Sequence, residues 1–391
     1  MHIQINFHLR NSKVFKMDIS HIKIGIDNTY IPPFKNNIKT TRIYENDGFD
    51  SLWFGDHIMG WNPEAIWTPD IVNIALFQKN PHDLYNVFPT LAIVANNTKK
   101  ALLGTAVTEI FRHHPALLAH LIITLDHISR GRIILGIGAG EGENIVPYGI
   151  KWEKSVSRLE EAIKIIKLLW EKDKKVDYDG EIWKLNDAVL SLNPYKKGNP
   201  PPIWVAAHGP KMLELTGKVG DGWLPIYLNP DRYKECLNTI HISAKKEGRN
   251  PDNIIPAVYF NIITDEKPEE CDRMLESPLA KNHMLVASNE QFQRYGISHP
   301  LGDDFYGLIN YIPTKYDKKT LLEIYEKVPS QMCKELYLNG TPDQVIGKIE
   351  EYAKIGAEHI VLFNHTPLCD IDKISTSYIC IKKVLDYFKG K

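Results

Sequence analysis

Three residues stand out for the chemistry their types allow: His57, Trp61 four positions later, and Glu141. A histidine titrates near neutral pH and can give or take a proton. Glu141 follows the apolar run Ile133-Ile134-Leu135 and a series of alternating glycines, Gly136, Gly138, Gly140 and Gly142. Bare backbone of this kind lets a planar ligand or a second chain segment come close. A carboxylate at a buried strand end is costly without a task. Burial would raise its pKa and make it the second acid/base group. Trp61 could wall the same pocket. The plain alternatives are a glycine-rich turn with an exposed Glu141, a hydrogen-bonded core histidine at 57, and ordinary packing for Trp61. No serine or cysteine elbow motif accompanies these residues. Proton transfer beside a bound redox cofactor is therefore the natural reaction class.

The glycine series is not a dinucleotide fingerprint. G-x-G-x-x-G needs a third glycine at 141 or 143, and both positions are glutamate. No metal-ligand spacing appears, and the adjacent His113-His114 pair cannot easily share one ion, so no metal is expected.

These residues must be positioned by regular elements. Short apolar strands are predicted at His21–Asn28, Phe49–Phe54, Lys100–Thr108, Ile133–Leu135, Ile203–Ala207, Trp223–Ile226, Ile254–Thr264 and His359–Phe363. Helices are predicted between most of them. Lys39–Gly48 closes on a glycine C-cap, Pro115 opens a helix through His127, and Ser155–Lys172 repeats Leu159, Ile163, Ile166 and Trp170 at helical spacing. Pro210 starts another helix, Asp231–Glu247 stops at Gly248, and Thr341-Pro342-Asp343 caps a helix to Lys354. Asp179-Gly180 signals a hairpin. Eight strand–helix units imply a parallel sheet and an α/β fold of the (β/α)8 TIM-barrel type with insertions. The active sites of such barrels sit at the C-terminal strand ends. Asp56, His57, Thr108, Glu109, Glu141 and His208 all fall at such ends.

The totals fit an ordinary globular enzyme. Of 391 residues, 43% are apolar and 24% charged, with a net charge of -1. That balance argues against a broad nucleic-acid footprint. Five scattered cysteines without a CxxC give neither a disulfide framework nor a zinc site. No apolar run reaches the roughly 18 residues of a membrane span, and the N-terminus is too polar for a signal core. A cytoplasmic protein is expected. Residues 1–20 read as an extension, and 21–391 as one barrel domain with an insertion at about 267–336.

At these residues the chain resembles the bacterial luciferase-like superfamily, in particular its branch that uses the deazaflavin coenzyme F420. The matching stretches are Trp53-Phe54-Gly55-Asp56-His57 with Trp61, Leu103–Thr108, Leu135–Glu141 with Asn144, and Ala206–Pro210 with Gly220–Trp223. Within the branch the resemblance is strongest to F420-dependent phthiodiolone ketoreductases. It includes Pro147-Tyr148-Gly149, Trp152, His299–Gly302, and Asn339–Asp343. Methylenetetrahydromethanopterin reductases resemble it less.

The resemblance implies that His57 and Glu141 are the acid/base pair and that Trp61 flanks the reacting face. It implies that Asp56 binds the deazaflavin ring, over a non-prolyl cis peptide at Ala106–Val107. Thr108 or Glu109, Gly140, Asn144, His208 and Gly209 would meet the coenzyme, with Lys211 and Met212 nearby. The implied reaction is hydride transfer between the deazaflavin C5 and a ketone or secondary alcohol. FMN with a monooxygenase reaction and a methylenetetrahydromethanopterin reductase-like reaction are the alternatives. F420-dependent glucose-6-phosphate dehydrogenases carry a phosphate-binding lysine whose place here is near Asn229, which argues against a sugar phosphate, and the aromatic loop Trp61–Phe88 and the end of the sixth strand suggest a weakly polar small molecule instead. A homodimer is the family expectation.

Overall fold

Strand and helix alternate along the chain, and the strands close on themselves. The computed structural model describes residues 21–28 and 30–391, so the expected extension over 1–20 lies outside the described residues. The barrel strands are β1 (Lys23–Asp27), β2 (Ser51–Phe54), β3 (Leu102–Thr105), β4 (Ile133–Gly138), β5 (Ile203–Val205), β6 (Gly222–Trp223), β7 (Ile255–Thr264) and β8 (His359–Asn364). Each pairs in parallel with the next, and β8 pairs with β1. This is the expected (β/α)8 barrel.

The outer layer is α1 (Phe34–Asp47), α2 (Val87–Asn97), α3 (Pro115–Ser129), α4 (Ser155–Glu171), α5 (Pro210–Val219), α6 (Pro230–Lys246), α7 (Pro342–Lys354) and α8 (Ile374–Phe388). Local signals set their ends. Gly48, at φ 103, lets its N–H return to the carbonyls of Tyr44 and Glu45 and stop α1. Proline begins α3, α5, α6 and α7, where a missing N–H costs nothing. Thr341 and Gln344 form a capping box on α7. The apolar face of α4 is buried at Leu159, Ile163, Ile166 and Trp170, each worth about 1.5–3 kcal/mol. Inside the barrel, Trp53 and Trp204 pack at 5.1 Å, over a chain in which the Trp53 indole donates to Ser51, whose hydroxyl lies 2.7 Å from His359. Among the described residues no helix is long and apolar enough to cross a membrane, and the five cysteines are free.

Several strands depart from their predicted limits. β4 does not stop at Leu135 but continues through the glycines to Gly138. A Cβ at Gly136 would lie 1.9 Å from the Thr105 carbonyl oxygen, so glycine is what lets β4 run beside β3. The third strand is divided: β3 ends at Thr105, the Ala106–Val107 bond is cis, and Thr108–Glu109 then pairs with Ile137-Gly138. β6 is two residues long, with Ile226 bridged singly to Tyr259. The hairpin of Val176–Asp179 and Lys184–Ala188 pairs Asp179 with Lys184, so Gly180 sits in a loop longer than the two-residue turn.

The segment between β7 and α7 holds short helices at Pro268–Leu275, Pro278–Met284, Asn289–Gln293, Lys318–Tyr325 and Ser330–Leu336. It ends in a strand the sequence pattern did not reveal, Leu338–Gly340. Ile262 of β7 pairs with Leu338 on one edge and Asn364 of β8 on the other. The added strand therefore lies on the edge of β7 that β6 has left. A second core joins the insertion to the loop after β2, packing Ile66, Trp67 and Ile74 against Met274, Leu279, Met284, Phe292 and Tyr325. That core roofs the C-terminal end of the barrel.

Candidate active site

β2 delivers Asp56 and His57, and β4 delivers Glu141, where a four-residue helix, Gly142–Ile145, begins. The turn of that helix brings Glu143 and Asn144 back against His57. Asn144 Oδ1 accepts the backbone N–H of Ile58 at 2.7 Å and of Met59 at 3.2 Å. Two backbone donors on one atom identify it as the amide oxygen, so the other end is the NH2 group. That group faces His57 Nδ1 at 2.9 Å and Glu143 Oε1 at 2.9 Å. His57 Nδ1 is thus an acceptor, and the ring proton belongs on Nε2.

Trp61 closes the cluster. Its indole N–H points at Glu143 Oε1, 2.8 Å, and Glu141 Oε2, 3.2 Å. Its ring stands edge-on to His57 at 5.8 Å. Burial raises the Glu141 carboxyl well above the usual range, and the neighbouring Glu143 carboxyl adds to this, against the pull of His57 and Trp61. Burial also raises Glu143. His57, Glu141 and Glu143 bring one ligand atom each within 4.8 Å of one another. Trp61 donates its N–H to Glu143 Oε1 and Glu141 Oε2, and the Asn144 amide donates to His57 Nδ1 and Glu143 Oε1.

Asp56 lies on the other side of β2's end. Its Oδ2 accepts the Thr108 hydroxyl at 2.7 Å and the Arg112 guanidinium at 3.0 Å, and lies 3.4 Å from His113 Nε2. Burial opposes its charge, but His113, Arg112 and Thr108 together hold its carboxyl below the usual value. Glu109 binds the same guanidinium and the backbone N–H of Phe111 and Arg112.

Two adjoining cavities open at this end of the barrel. The larger, about 420 Å³, is lined by Asp56, Val107, Thr108, Glu109, Gly140, Asn144, Gly209 and Met212, with Arg112, Arg232 and Arg294 on its wall. The smaller, about 210 Å³, is lined by His57, Trp61 and Ala106, with Asp27, Tyr259, Asn261 and His283, and has no lysine or arginine among its described lining residues. Val107, Glu141, Ala206, His208, Ile226 and Leu308 border both. His208 Nε2 lies 3.0 Å from the Ile226 carbonyl, joining the ends of β5 and β6, and burial lowers its pKa.

The predicted residues thus converge, Lys211 excepted. Lys211, at the start of α5, is exposed and lines neither cavity. Asn144 reaches the larger cavity, but its amide is saturated by protein groups, so it acts on His57.

Sequence reasoning missed Glu143, which had served only to break the dinucleotide pattern; the Glu141-x-Glu143-Asn144 spacing was the available signal. It missed Arg112, whose role depends on a turn bringing it back to Asp56. It missed Asp27 at the end of β1, whose carboxyl burial pushes well above the usual range against a hydrogen bond from Tyr259. It missed Asn282 and His283, which no local pattern connects to the barrel. Asn282 donates to the Trp61 carbonyl at 3.0 Å and accepts from the hydroxyls of Tyr311 at 2.5 Å and Tyr325 at 2.9 Å. His283 Nε2 lies 3.1 Å from Asn62 Oδ1.

Comparison with known proteins agrees with this architecture. A family model described as luciferase-like monooxygenase matches residues 19–359. The phthiodiolone/phenolphthiodiolone dimycocerosates ketoreductase of Mycobacterium tuberculosis is 38% identical over 321 residues, 81% of this chain and 84% of the relative. The 5,10-methylenetetrahydromethanopterin reductase of Archaeoglobus fulgidus is 31% identical over 322 residues, 82% of this chain and 86% of the relative. Among solved structures, an F420-dependent secondary alcohol dehydrogenase in complex with an F420-acetone adduct superposes with a TM-score of 0.73 at 23% identity, over 93% of this chain and 99% of that one. With a family model matching residues 19–359 and relatives aligned across most of their length, the chain belongs to the luciferase-like monooxygenase family.

Proposed function

We propose that the protein is a coenzyme F420-dependent oxidoreductase that interconverts a weakly polar ketone and its secondary alcohol. The observation that carries this reading is the meeting of His57, Glu141 and Trp61 at the seam between two cavities. The reading is supported by the ketoreductase relative and by the alcohol dehydrogenase of the same fold.

The larger cavity fits the coenzyme. Val107 and Gly138 form an apolar side, and Asp56, fixed by Arg112, offers a polar edge for a ring N–H. At Gly209 a Cβ would meet nothing within 4 Å, so bare backbone faces open space. Arg232 and Arg294 suit the anionic tail of such a coenzyme. When bound, the reduced coenzyme supplies a hydride to the substrate carbon.

The smaller cavity suits the substrate, because its described wall carries no lysine or arginine to neutralise a phosphate or carboxylate. His57, with its proton on Nε2, donates a hydrogen bond to the carbonyl oxygen. Glu141, whose carboxyl burial raises well above the usual range, transfers the proton. Trp61 shields both from water.

Titration of the purified protein with oxidised F420 and with FMN tests the cofactor, followed by turnover of a panel of ketones and alcohols. Binding of F420 with ketone reduction is expected. Binding of FMN alone would overturn the reading in favour of monooxygenase chemistry. Turnover of a methylenetetrahydropterin but no ketone would favour the activity named for the Archaeoglobus relative.

A further inference from the structure

Glu143 is unexposed, and the reading above gives it no role. Its Oε1 accepts from Trp61 and Asn144. Its Oε2 is buried and has no N–H or hydroxyl donor. An ionised carboxylate with one oxygen so placed is expensive. The group left to face that oxygen is the carboxyl of Glu141, which lies in the same cluster, within 4.8 Å, and shares the Trp61 N–H with Glu143. Two carboxyl groups bond to each other only if one carries a proton.

We propose, on the oxidoreductase reading above, that Glu143 is a positioning residue that shares one proton with Glu141, so that the pair delivers the proton to the substrate oxygen. His57 does not compete for this role, because Asn144 holds its Nδ1 as an acceptor. Among the described residues, the charged and titratable groups facing the pair are His57 from the loop after β2, Tyr30 from the loop after β1, Arg112 from the loop after β3, Tyr148 after the short helix, and Tyr311 from the insertion. Arg112 is held by Asp56 and Glu109. The pair therefore carries one proton and one negative charge. On delivery, its O–H bond breaks and a new O–H bond forms on the substrate oxygen as the attached carbon gains the hydride. The pair is left doubly charged and regains a proton from water at the cavity mouth. Trp61, donating to both carboxyls, favours the charged form and sets how readily the proton leaves.

The test is infrared spectroscopy of the full chain without substrate, comparing wild type with Glu143→Gln at pH 7 in H2O and D2O. Glutamine keeps the shape and the acceptor for Trp61 but removes the charge. The wild-type-minus-variant spectrum is expected to contain a protonated-carboxyl C=O band that shifts in D2O. A difference with carboxylate bands alone overturns the proposal. In turnover, Glu143→Gln should move the alkaline limb of kcat/KM for ketone reduction down by about one pH unit or more, a tenfold loss on that limb. Trp61→Phe should move the limb upward. Limbs unmoved in both variants overturn the proposal while leaving the oxidoreductase reading intact. If the wild type reduces no ketone, that reading fails, and the infrared band still decides this one.

Discussion

Asn144 holds His57 in one tautomer: its amide N–H meets His57 Nδ1 at 2.9 Å because its oxygen is fixed by the backbone of Ile58 and Met59. The histidine is thereby a neutral donor through Nε2, and the proton comes from elsewhere. Asn144→Ala should lower kcat by about 100-fold with little change in coenzyme affinity. Nitrogen NMR of the His57 ring should show the Nε2–H tautomer in wild type and a mixture in the variant. A single unchanged tautomer in the variant would sink the assignment.

Gly209→Ala separates binding from folding. The added methyl meets nothing within 4 Å, at a backbone φ of -83 that any residue adopts. Stability to urea should match wild type. F420 affinity should fall about tenfold, equivalent to roughly 1.4 kcal/mol, when read by titration.

Arg112 neutralises Asp56 and Glu109 together. Arg112→Ala leaves buried charge unpaired and should cost about 3–5 kcal/mol in urea denaturation. The folded pKa of Asp56 lies below its ordinary value. Its contribution is therefore present at neutral pH and disappears as pH falls below the ordinary carboxylate range. The wild-type and variant stability curves should converge in acid.

The carboxyl pair has the opposite sign. Both Glu141 and Glu143 have folded pKa values above their ordinary ones. Between the ordinary and the folded value the native state holds more protons than the unfolded chain, so stability falls as pH rises. Glu143→Gln should be more stable than wild type at pH 8 by about 1–2 kcal/mol. Below about pH 4, where the unfolded chain is protonated too, the difference should vanish. Chemical denaturation across that range checks it.

The barrel was legible because each unit carries its own period and its own punctuation. Gly48, Pro115 and Thr341 act within a few residues of where they stand, so sequence alone places them. His57 and Glu141 were legible for the same reason, sitting just past the ends of strands, and Trp61 by its place four residues after His57. What stayed hidden depends on contacts across long separations. Glu143 acquires its partner only when the helix after β4 turns it under Trp61, 82 residues away in sequence. Leu338–Gly340 is a strand because β6 is short and leaves an edge of β7 vacant. The glycines of β4 read as a break because their value is spatial: Gly136 is there for the Thr105 carbonyl.

Asn282 stands outside the barrel in sequence yet holds the carbonyl of Trp61, while two tyrosine hydroxyls of the insertion hold Asn282. The roof is therefore tied to the reaction centre through that amide, beside the shared core and the contact of His283 with Asn62. Heat or denaturant that loosens the roof must release Trp61 before the barrel itself opens. Loss of activity should precede loss of helical signal, making this a protein whose working lifetime is set by its lid-side appendage and not by its scaffold.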